Sequence, residues 1–213
     1  MCGRFSLVEA MYNLQQYYQF EMRDDFLYTP NENLAPSQQA AAVVQLNGTR
    51  YPASFRWGLI PPFAKDEKIG YKTFNARSET VAEKPSFRKA FGSKRCLIPA
   101  SSFYEWKKSG KEKQPFEIKR LDGEPITFAG LWESWRNGDE IIRSCTILTT
   151  EPNDLMADIH NRMPVILEKD RFNQWLNPEE NKDSLKQLLK PCANGLLKAE
   201  AISDDRFKRS GTS

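Results

Sequence analysis

The chain has 213 residues, of which 39% are hydrophobic, 28% charged and 12% aromatic, and this composition excludes an intrinsically disordered protein. The formal net charge is only +3, so a nucleic-acid partner is permitted but not required. No stretch approaches the ~18 consecutive apolar residues of a membrane span, and the first residues lack the pattern of a secretory signal. A cytoplasmic protein without a membrane partner is therefore expected.

The first predicted elements are a helix and a hairpin. Ser6 and Glu9 have the spacing of a capping box, and apolar residues follow at helical intervals, which predicts a helix over residues 7–19. Asn47–Gly48 lies between two extended segments. This dipeptide predicts a β-hairpin with a type I′ turn, because both turn positions require positive φ.

The centre of the chain is dominated by short runs typical of strands. A short helix is predicted over 85–90, ending at Gly92. Strands are then predicted at 95–98, 103–106, 115–119, 126–132, 141–149, 163–167 and 199–202, with a polar hairpin loop at 107–113 and helices at 171–176 and 184–189. This order predicts an α+β fold whose curved, mostly antiparallel sheet or β-barrel-like core is flanked by helices. We expect a single domain over residues 1–205, followed by a flexible basic tail at 206–213.

Cysteine and histidine counts restrict the metal chemistry. The four cysteines contain no C-x-x-C pair, which excludes a zinc ribbon and a thioredoxin-type motif. Cys96 and Cys145 lie in apolar runs and are interpreted as buried core residues. A single histidine, His160, excludes any metal site built on two imidazoles. No metal and no cofactor is expected.

Cys2 is the first residue that could carry chemistry. Removal of the initiator methionine would give it a free α-amine, whose ordinary pKa of about 7.7–8.0 leaves part of it nucleophilic at cytosolic pH. Such a 1,2-aminothiol condenses with an aldehyde, first to a Schiff base and then to a five-membered thiazolidine. An internal cysteine cannot form this ring. The alternative interpretation is an ordinary second residue without a role.

Three further candidates each have a structural alternative. Asn75 begins a polar cluster, Asn75–Glu79, which is also typical of a capping turn. Glu105 shares a strand face with the apolar Phe103, so it is either a charge at the rim or a partly buried acid with a raised pKa. His160 stands just before an apolar strand, where a structural role and a site are both consistent with the sequence.

Arginines lie close in sequence to three of these candidates. Arg4 lies two residues after Cys2, Arg77 two residues after Asn75, and Arg162 two residues after His160. Scattered arginines are usually solvated surface residues. Their placement beside every one of these three candidates also suits an anionic substrate.

Seven segments carry a resemblance to a known family. In chain order they are Met1–Phe5, Leu34–Pro36, Trp57–Pro61, Asn75–Thr80, Arg95–Pro99, Phe103–Trp106 and Ile159–Leu167. On these segments the chain resembles the SRAP family, the SOS response-associated peptidase-like, abasic-site processing proteins. The resemblance covers residues 2 to 168, and the remaining residues match more weakly.

The resemblance implies a single β-barrel-like α+β domain with a positively charged groove for single-stranded DNA. It also implies that mature Cys2 captures the aldehyde of a ring-opened abasic site as a thiazolidine. The resulting DNA–protein crosslink would protect the lesion in an SOS-type damage response and could be reversed. The implied partner is single-stranded or replication-fork DNA with an abasic site, bound by a monomer that is nucleoid-associated when on DNA.

The resemblance further implies roles for eight residues. The implied catalytic residues are Cys2, Asn75, Glu105 and His160. The implied DNA contacts are Arg4, Arg77 and Arg162, to phosphates, and Trp106, to a base beside the lesion.

The implied catalytic side chains are of types that suit this reaction. Glu105 can protonate the ring oxygen of the closed sugar and then assist loss of water from the carbinolamine. Asn75 can hold the sugar oxygen or the Cys2 amine by hydrogen bonds. His160 can donate to the sugar or to a phosphate, and could promote β-elimination or reversal of the crosslink.

Two other functions are consistent with the same residues. A cysteine peptidase would use Cys2 as the thiol nucleophile, His160 as the base and Asn75 as the orienting residue, acting on its own N-terminus. A non-covalent single-stranded DNA-binding module would use aromatic residues and arginines alone. Aldehyde capture needs the free α-amine, a thiol peptidase does not, and a binding module forms no covalent product.

Overall fold

The computed structural model describes residues 2–207 and contains twelve strands and five α-helices within that range. The strands are β1 (Arg4–Leu7), β2 (Asn31–Leu34), β3 (Gln39–Leu46), β4 (Thr49–Trp57), β5 (Asn75–Arg77), β6 (Arg95–Ala100), β7 (Ser102–Ser109), β8 (Glu112–Arg120), β9 (Ile126–Asn137), β10 (Glu140–Thr150), β11 (Met163–Pro164) and β12 (Leu197–Ala201). The helices are α1 (Met11–Tyr18), α2 (Arg88–Ser93), α3 (Asp154–Ala157), α4 (Phe172–Leu176) and α5 (Lys182–Gln187). Short 3-10 turns lie at Glu67–Lys72, Lys169–Arg171 and Asp204–Phe207.

Five strands close into a small barrel in the order β10-β4-β3-β6-β9, because β9 pairs back onto β10. The β10–β4 pairing is parallel, and the other pairings around the barrel are antiparallel. Two short strands extend the far end of β10: β5 pairs with it in parallel and β11 in antiparallel orientation. Alternate side chains along each strand of a closed barrel point into its interior, and here apolar residues fill that interior.

The second sheet is antiparallel throughout, with the order β12-β8-β7-β1-β2. Its inner face packs on the barrel through aromatic rings. The ring of Phe5 lies 5.0 Å from that of Trp57 and 5.7 Å from that of Phe128, and the ring of Phe103 lies 5.9 Å from that of Phe128. These contacts bring the start of the chain, which leads into β1, against the barrel.

The predicted α+β fold with a barrel-like core is confirmed. The predicted hairpin is also confirmed: β3 and β4 pair antiparallel around Asn47 and Gly48, whose φ angles are 50° and 84°. Cys96 and Cys145 are fully buried in the core, as their apolar surroundings predicted. Within residues 2–207, no helix is both long enough and apolar enough to cross a membrane.

The prediction of a helix over 7–19 was wrong at its start. Ser6 belongs to β1, and its hydroxyl is hydrogen bonded to that of Ser102 at 2.6 Å instead of capping a helix. Helix α1 begins at Met11, and its N-cap residue, Ala10, makes no side-chain cap bond. Pairing of β1 with β7 has outweighed the local capping signal, because strand pairing and burial contribute more than one cap.

Three further boundaries also differ from the prediction. Gly92 lies inside α2 and does not end it. The hairpin predicted as a loop at 107–113 stays paired almost to its tip, since Ser109 still lies opposite Glu112. The strand predicted at 163–167 is regular only at Met163–Pro164. Of the tail predicted at 206–213, residues 208–213 lie outside the described residues.

Candidate functional site

Cys2 lies where the start of β1 meets the barrel. Its side chain is fully buried, and its carbonyl oxygen accepts a hydrogen bond from Nδ2 of Asn75 at 2.7 Å. Asn75 is the first residue of β5, which pairs with β10 of the barrel. This one bond therefore joins the two sheets at the residue predicted to be the nucleophile.

The amide of Asn75 has a second feature of interest. Its Oδ1 is buried and has no hydrogen-bond partner among residues 2–207. A buried acceptor without a donor costs on the order of 1–3 kcal/mol, so such an atom is a suitable place for an entering N–H or O–H group. Nδ2 already holds the Cys2 carbonyl, which leaves Oδ1 as the acceptor for a ligand or for the Cys2 amine.

Glu105 is a buried acid and not a charge at the rim. It is only 3% exposed, and it shares the inner face of β7 with the fully buried Phe103. Burial raises the pKa of the Cys2 thiol well above its ordinary value, and the negative charge of Glu105 raises that pKa further. The Cys2 thiol is therefore neutral at pH 7, and an acid–base group lies within electrostatic reach of it.

His160 lies in the loop between α3 and β11. Its main-chain N–H donates to the carbonyl of Met156 at 2.8 Å, which fixes the loop to the end of α3. Its ring Nδ1 accepts the main-chain N–H of Arg162 at 3.0 Å. Nδ1 also lies 3.2 Å from the main-chain oxygen of Arg162, so the backbone of Arg162 orients the imidazole ring.

Arg162 is held in place by several acceptors. Its guanidinium donates to both carboxylate oxygens of Glu79, at 2.5 and 3.0 Å, and to the carbonyl of Thr149 at 2.6 Å. The hydrogen bond from Arg162 lowers the pKa of Glu79, so this pair is ionised at neutral pH. Arg162 is thus oriented by Glu79, and the charge of the guanidinium is partly compensated.

The other two arginines predicted to contact phosphates, Arg77 and Arg4, have fewer hydrogen bonds within the described residues than Arg162. Arg77 is exposed at the end of β5, opposite Thr149 of β10, and its guanidinium has no hydrogen-bonded partner within 2–207. Arg4 donates to Oδ1 of Asn33 at 2.8 Å and is half-buried. Arg77 and Arg162 therefore border β10 at the same end, because each is paired with or bonded to Thr149.

Trp106 lies on the opposite face of β7 from Glu105, and a C-terminal segment covers it. The indole N–H donates to Oδ1 of Asp204 at 3.4 Å, and the ring centroid of Phe207 lies 4.9 Å away. Phe207 also packs against Tyr104, with ring centroids 5.0 Å apart. Phe207, the second residue of the segment predicted as a flexible tail, thus contacts the predicted base platform.

The structure groups the predicted residues in two sets. The contact of Asn75 with Cys2 and the effect of Glu105 on the Cys2 thiol place these three together. His160 and Arg162 form a second set at the end of β10, where sequence analysis missed the contribution of Thr149. Among the described residues there is no group of three or more His, Cys, Asp or Glu side chains suited to a metal ion.

The chain is similar to known proteins in both sequence and structure. A family model described as SOS response associated peptidase (SRAP) matches residues 1–206. Over 210 residues the chain is 48% identical to the Abasic site processing protein YoqW of Bacillus subtilis (strain 168), with 95% of this chain and 92% of that protein covered. Over 205 residues it is 34% identical to the Abasic site processing protein HMCES of Xenopus tropicalis, with 80% and 61% covered. A crystal structure of a protein from Bacteroides thetaiotaomicron superimposes with a TM-score of 0.91 at 28% identity, covering 98% of this chain and 95% of that one.

Proposed function

Because this chain belongs to the SRAP family, we propose that it processes abasic sites in single-stranded DNA by a covalent thiazolidine crosslink through mature Cys2. Relatives named abasic site processing proteins support the substrate class. The observation that carries the proposal is the contact between Asn75 and Cys2 beside the buried carboxyl of Glu105. An acceptor and an acid–base group thereby adjoin the one residue that can present a 1,2-aminothiol.

The first step is opening of the sugar. An abasic sugar is mostly a closed hemiacetal, and its aldehyde is released when the bond between C1′ and the ring oxygen breaks. Glu105 in its protonated form gives a proton to the ring oxygen, and the proton lost by the C1′ hydroxyl returns through water to the Glu105 carboxylate. Oδ1 of Asn75 accepts a hydrogen bond from the Cys2 amine or from a sugar hydroxyl, which orients the two reactants.

The next steps join the protein to the sugar. The Cys2 α-amine adds to the aldehyde carbon, and the resulting carbinolamine loses one water with the help of a proton from Glu105. The sulfur then adds to the carbon of the Schiff base and closes the thiazolidine. Loss of water leaves a protonated Schiff base and the Glu105 carboxylate. Since the thiol is neutral at pH 7, this carboxylate takes the S–H proton as the C–S bond forms, which restores protonated Glu105 and leaves the ring nitrogen as a neutral N–H. The net reaction releases one water.

The second set of residues binds the strand. Arg4, Arg77 and Arg162 contact phosphates, as guanidinium groups readily do. The ring of His160 donates to the sugar or to a phosphate next to the lesion, where it can also promote β-elimination or reversal. A base that stacks on the outer face of Trp106 takes the position that Phe207 has in the free protein. The protein acts as a monomer on single-stranded DNA, including the strands exposed at replication forks.

The raised thiol pKa favours aldehyde capture over the cysteine peptidase. A thiol peptidase requires a thiolate, and such cysteines have pKa values lowered by nearby cations or helix N-termini. Cys2 has the opposite surroundings, because burial and the Glu105 charge both raise the pKa of its thiol. The aldehyde reaction begins with the amine and tolerates a neutral thiol.

The test of the proposal is covalent capture of DNA. Protein lacking Met1 is incubated with a single-stranded oligonucleotide that carries one abasic site. We expect an adduct that survives boiling in detergent, with the mass of the two components less one water. The same oligonucleotide without the lesion should yield none, since it offers no aldehyde. Absence of an adduct from correctly processed protein would overturn the proposed function.

Substitution of Arg77 separates binding from chemistry. Arg77→Ala removes an exposed guanidinium, so it should weaken binding of damaged and undamaged strands alike. Loss of one phosphate contact should also reduce the slope of log K against log salt by ~0.7 for a single strand. Fluorescence anisotropy of a labelled oligonucleotide at several salt concentrations measures both effects. Weakened binding of damaged strands only would place Arg77 at the sugar and not at the backbone.

A further inference from the structure

The hairpin of β7 and β8 extends past the proposed site and has an unusual pairing near its tip. In its register, Trp106 lies opposite Pro115, and Lys108 lies opposite Lys113. Alternate residues of a strand share a face, so Trp106, Lys108 and Lys113 lie on the same side of the hairpin. Both lysines are exposed.

Two like charges directly opposite each other destabilise a strand pair. The ion pairs within 2–207 include neither Lys108 nor Lys113, so no acidic side chain of the described protein compensates them. Two more lysines, at 107 and 111, lie in the same short segment, against the single acid Glu112. The fold thus keeps a locally repulsive group of cations that a bound anion would stabilise.

The position of this pair identifies the anion. Lys108 is two residues beyond Trp106 along β7, a distance of ~6.6–6.8 Å at the rise of an extended strand. This separation is comparable with the spacing of successive phosphates in an extended single strand. An aromatic platform followed by cations on the same face is the arrangement by which proteins track single-stranded nucleic acids.

We propose that Lys108 and Lys113 bind the phosphate backbone of single-stranded DNA next to the base on Trp106, and so extend the DNA site along the hairpin. The inference rests on the proposed function, because that function places the DNA strand at Trp106. It adds a contact outside the seven segments that carry the family resemblance, which end at Trp106 on this strand.

The experiment compares two charge-matched variants. Lys108→Ser/Lys113→Ser removes the opposed pair, and Lys182→Ser/Lys190→Ser removes two exposed lysines at α5 and just after it, a segment that packs on the barrel where Leu189 accepts a bond from Thr150. Binding of an undamaged oligonucleotide is measured by anisotropy between 50 and 200 mM salt. Two lost contacts should lower the salt slope by ~1.4, so wild type should lose about sevenfold more affinity over this range than the hairpin variant. The control variant should keep the wild-type slope.

A third variant keeps the proposal falsifiable if the serines disturb the hairpin. Lys108→Arg/Lys113→Arg retains both charges and should retain the wild-type slope. An unchanged slope in the serine variant, or an equal fall in the control variant, would overturn the proposal. A competition experiment adds a further check. If an acidic polypeptide displaces the labelled oligonucleotide from wild type as well as unlabelled DNA does, and both lose the same advantage in the hairpin variant, the two lysines bind a protein partner and the proposal is overturned as well.

The result is independent of the covalent step. The oligonucleotide is undamaged, so the slope reports on phosphate contacts alone. A hairpin effect without any abasic adduct would end the proposed function and keep the lysine contacts. An adduct without a hairpin effect would do the reverse.

Discussion

Cys2→Ala should abolish the heat-stable adduct with abasic DNA. The variant keeps the α-amine after removal of Met1 but lacks the sulfur that closes the thiazolidine. It can form only a Schiff base, which hydrolyses when the sample is boiled in detergent. Denaturing gel electrophoresis of protein mixed with a labelled abasic oligonucleotide measures the difference, which should be complete.

Two controls separate loss of chemistry from loss of the fold. Reduction with borohydride converts a Schiff base to a stable amine, so it should trap the Cys2→Ala variant on DNA although boiling alone does not. Cys192→Ala removes a half-buried thiol outside the site and should form adduct as wild type does. A Cys2→Ala adduct that survives boiling without borohydride would exclude the thiazolidine.

Glu105→Gln should slow crosslinking by ~10²–10⁴-fold while binding of DNA stays close to that of wild type. Glutamine has nearly the same size and still forms hydrogen bonds, but it cannot move a proton to the ring oxygen or from the thiol. The buried position of Glu105 gives water little access to replace it. The measurement is the rate of adduct formation against pH at saturating abasic DNA.

The same substitution has a second readout at the thiol. The negative charge of Glu105 raises the pKa of the Cys2 thiol, so its removal should lower that pKa, while burial still holds it above the ordinary value. In the absence of DNA, alkylation of Cys2 should therefore begin at a lower pH in Glu105→Gln than in wild type. This shift would show that Glu105 acts on Cys2 directly and not through the fold.

A matched control exists in the barrel. Glu133 is 1% exposed and forms an ion pair with Lys94 at 3.0 Å, away from Cys2. Glu133→Gln should leave the crosslinking rate unchanged. If the pH–rate profiles of Glu105→Gln and wild type coincide in height and shape, Glu105 is not the acid–base group.

Much of the fold could be predicted from local sequence signals. The turn at Asn47–Gly48 was predictable because few residues adopt positive φ at two successive positions. The central strands could be located from β-branched and aromatic runs, and the observed strands extend them at their ends. Short elements were not predictable in this way. β5 has three residues and exists because it pairs with β10 far along the chain.

Local signals failed where tertiary contacts opposed them. The spacing of Ser6 and Glu9 favours a helix start, but pairing of β1 with β7 places Ser6 in a strand. Phe207 follows a polar segment and was included in a tail, yet its ring packs on Trp106 and Tyr104. The only sequence signal for this contact was an isolated aromatic residue in a polar segment. The linear sequence does not show which residues such a ring packs against.

The sequence by itself determined which residue types are available for the proposed chemistry. Cysteine at position 2 can become a 1,2-aminothiol only because of its place in the chain, and the family motifs that name the other site residues are linear patterns. The tertiary structure alone decided how these groups act on one another. Asn75 meets the Cys2 carbonyl, Glu105 is buried within electrostatic reach of the Cys2 thiol, and Arg162 is held by Glu79. The physical reason is that pKa values and hydrogen bonds depend on distance and desolvation, and both are set by packing between residues far apart in the sequence.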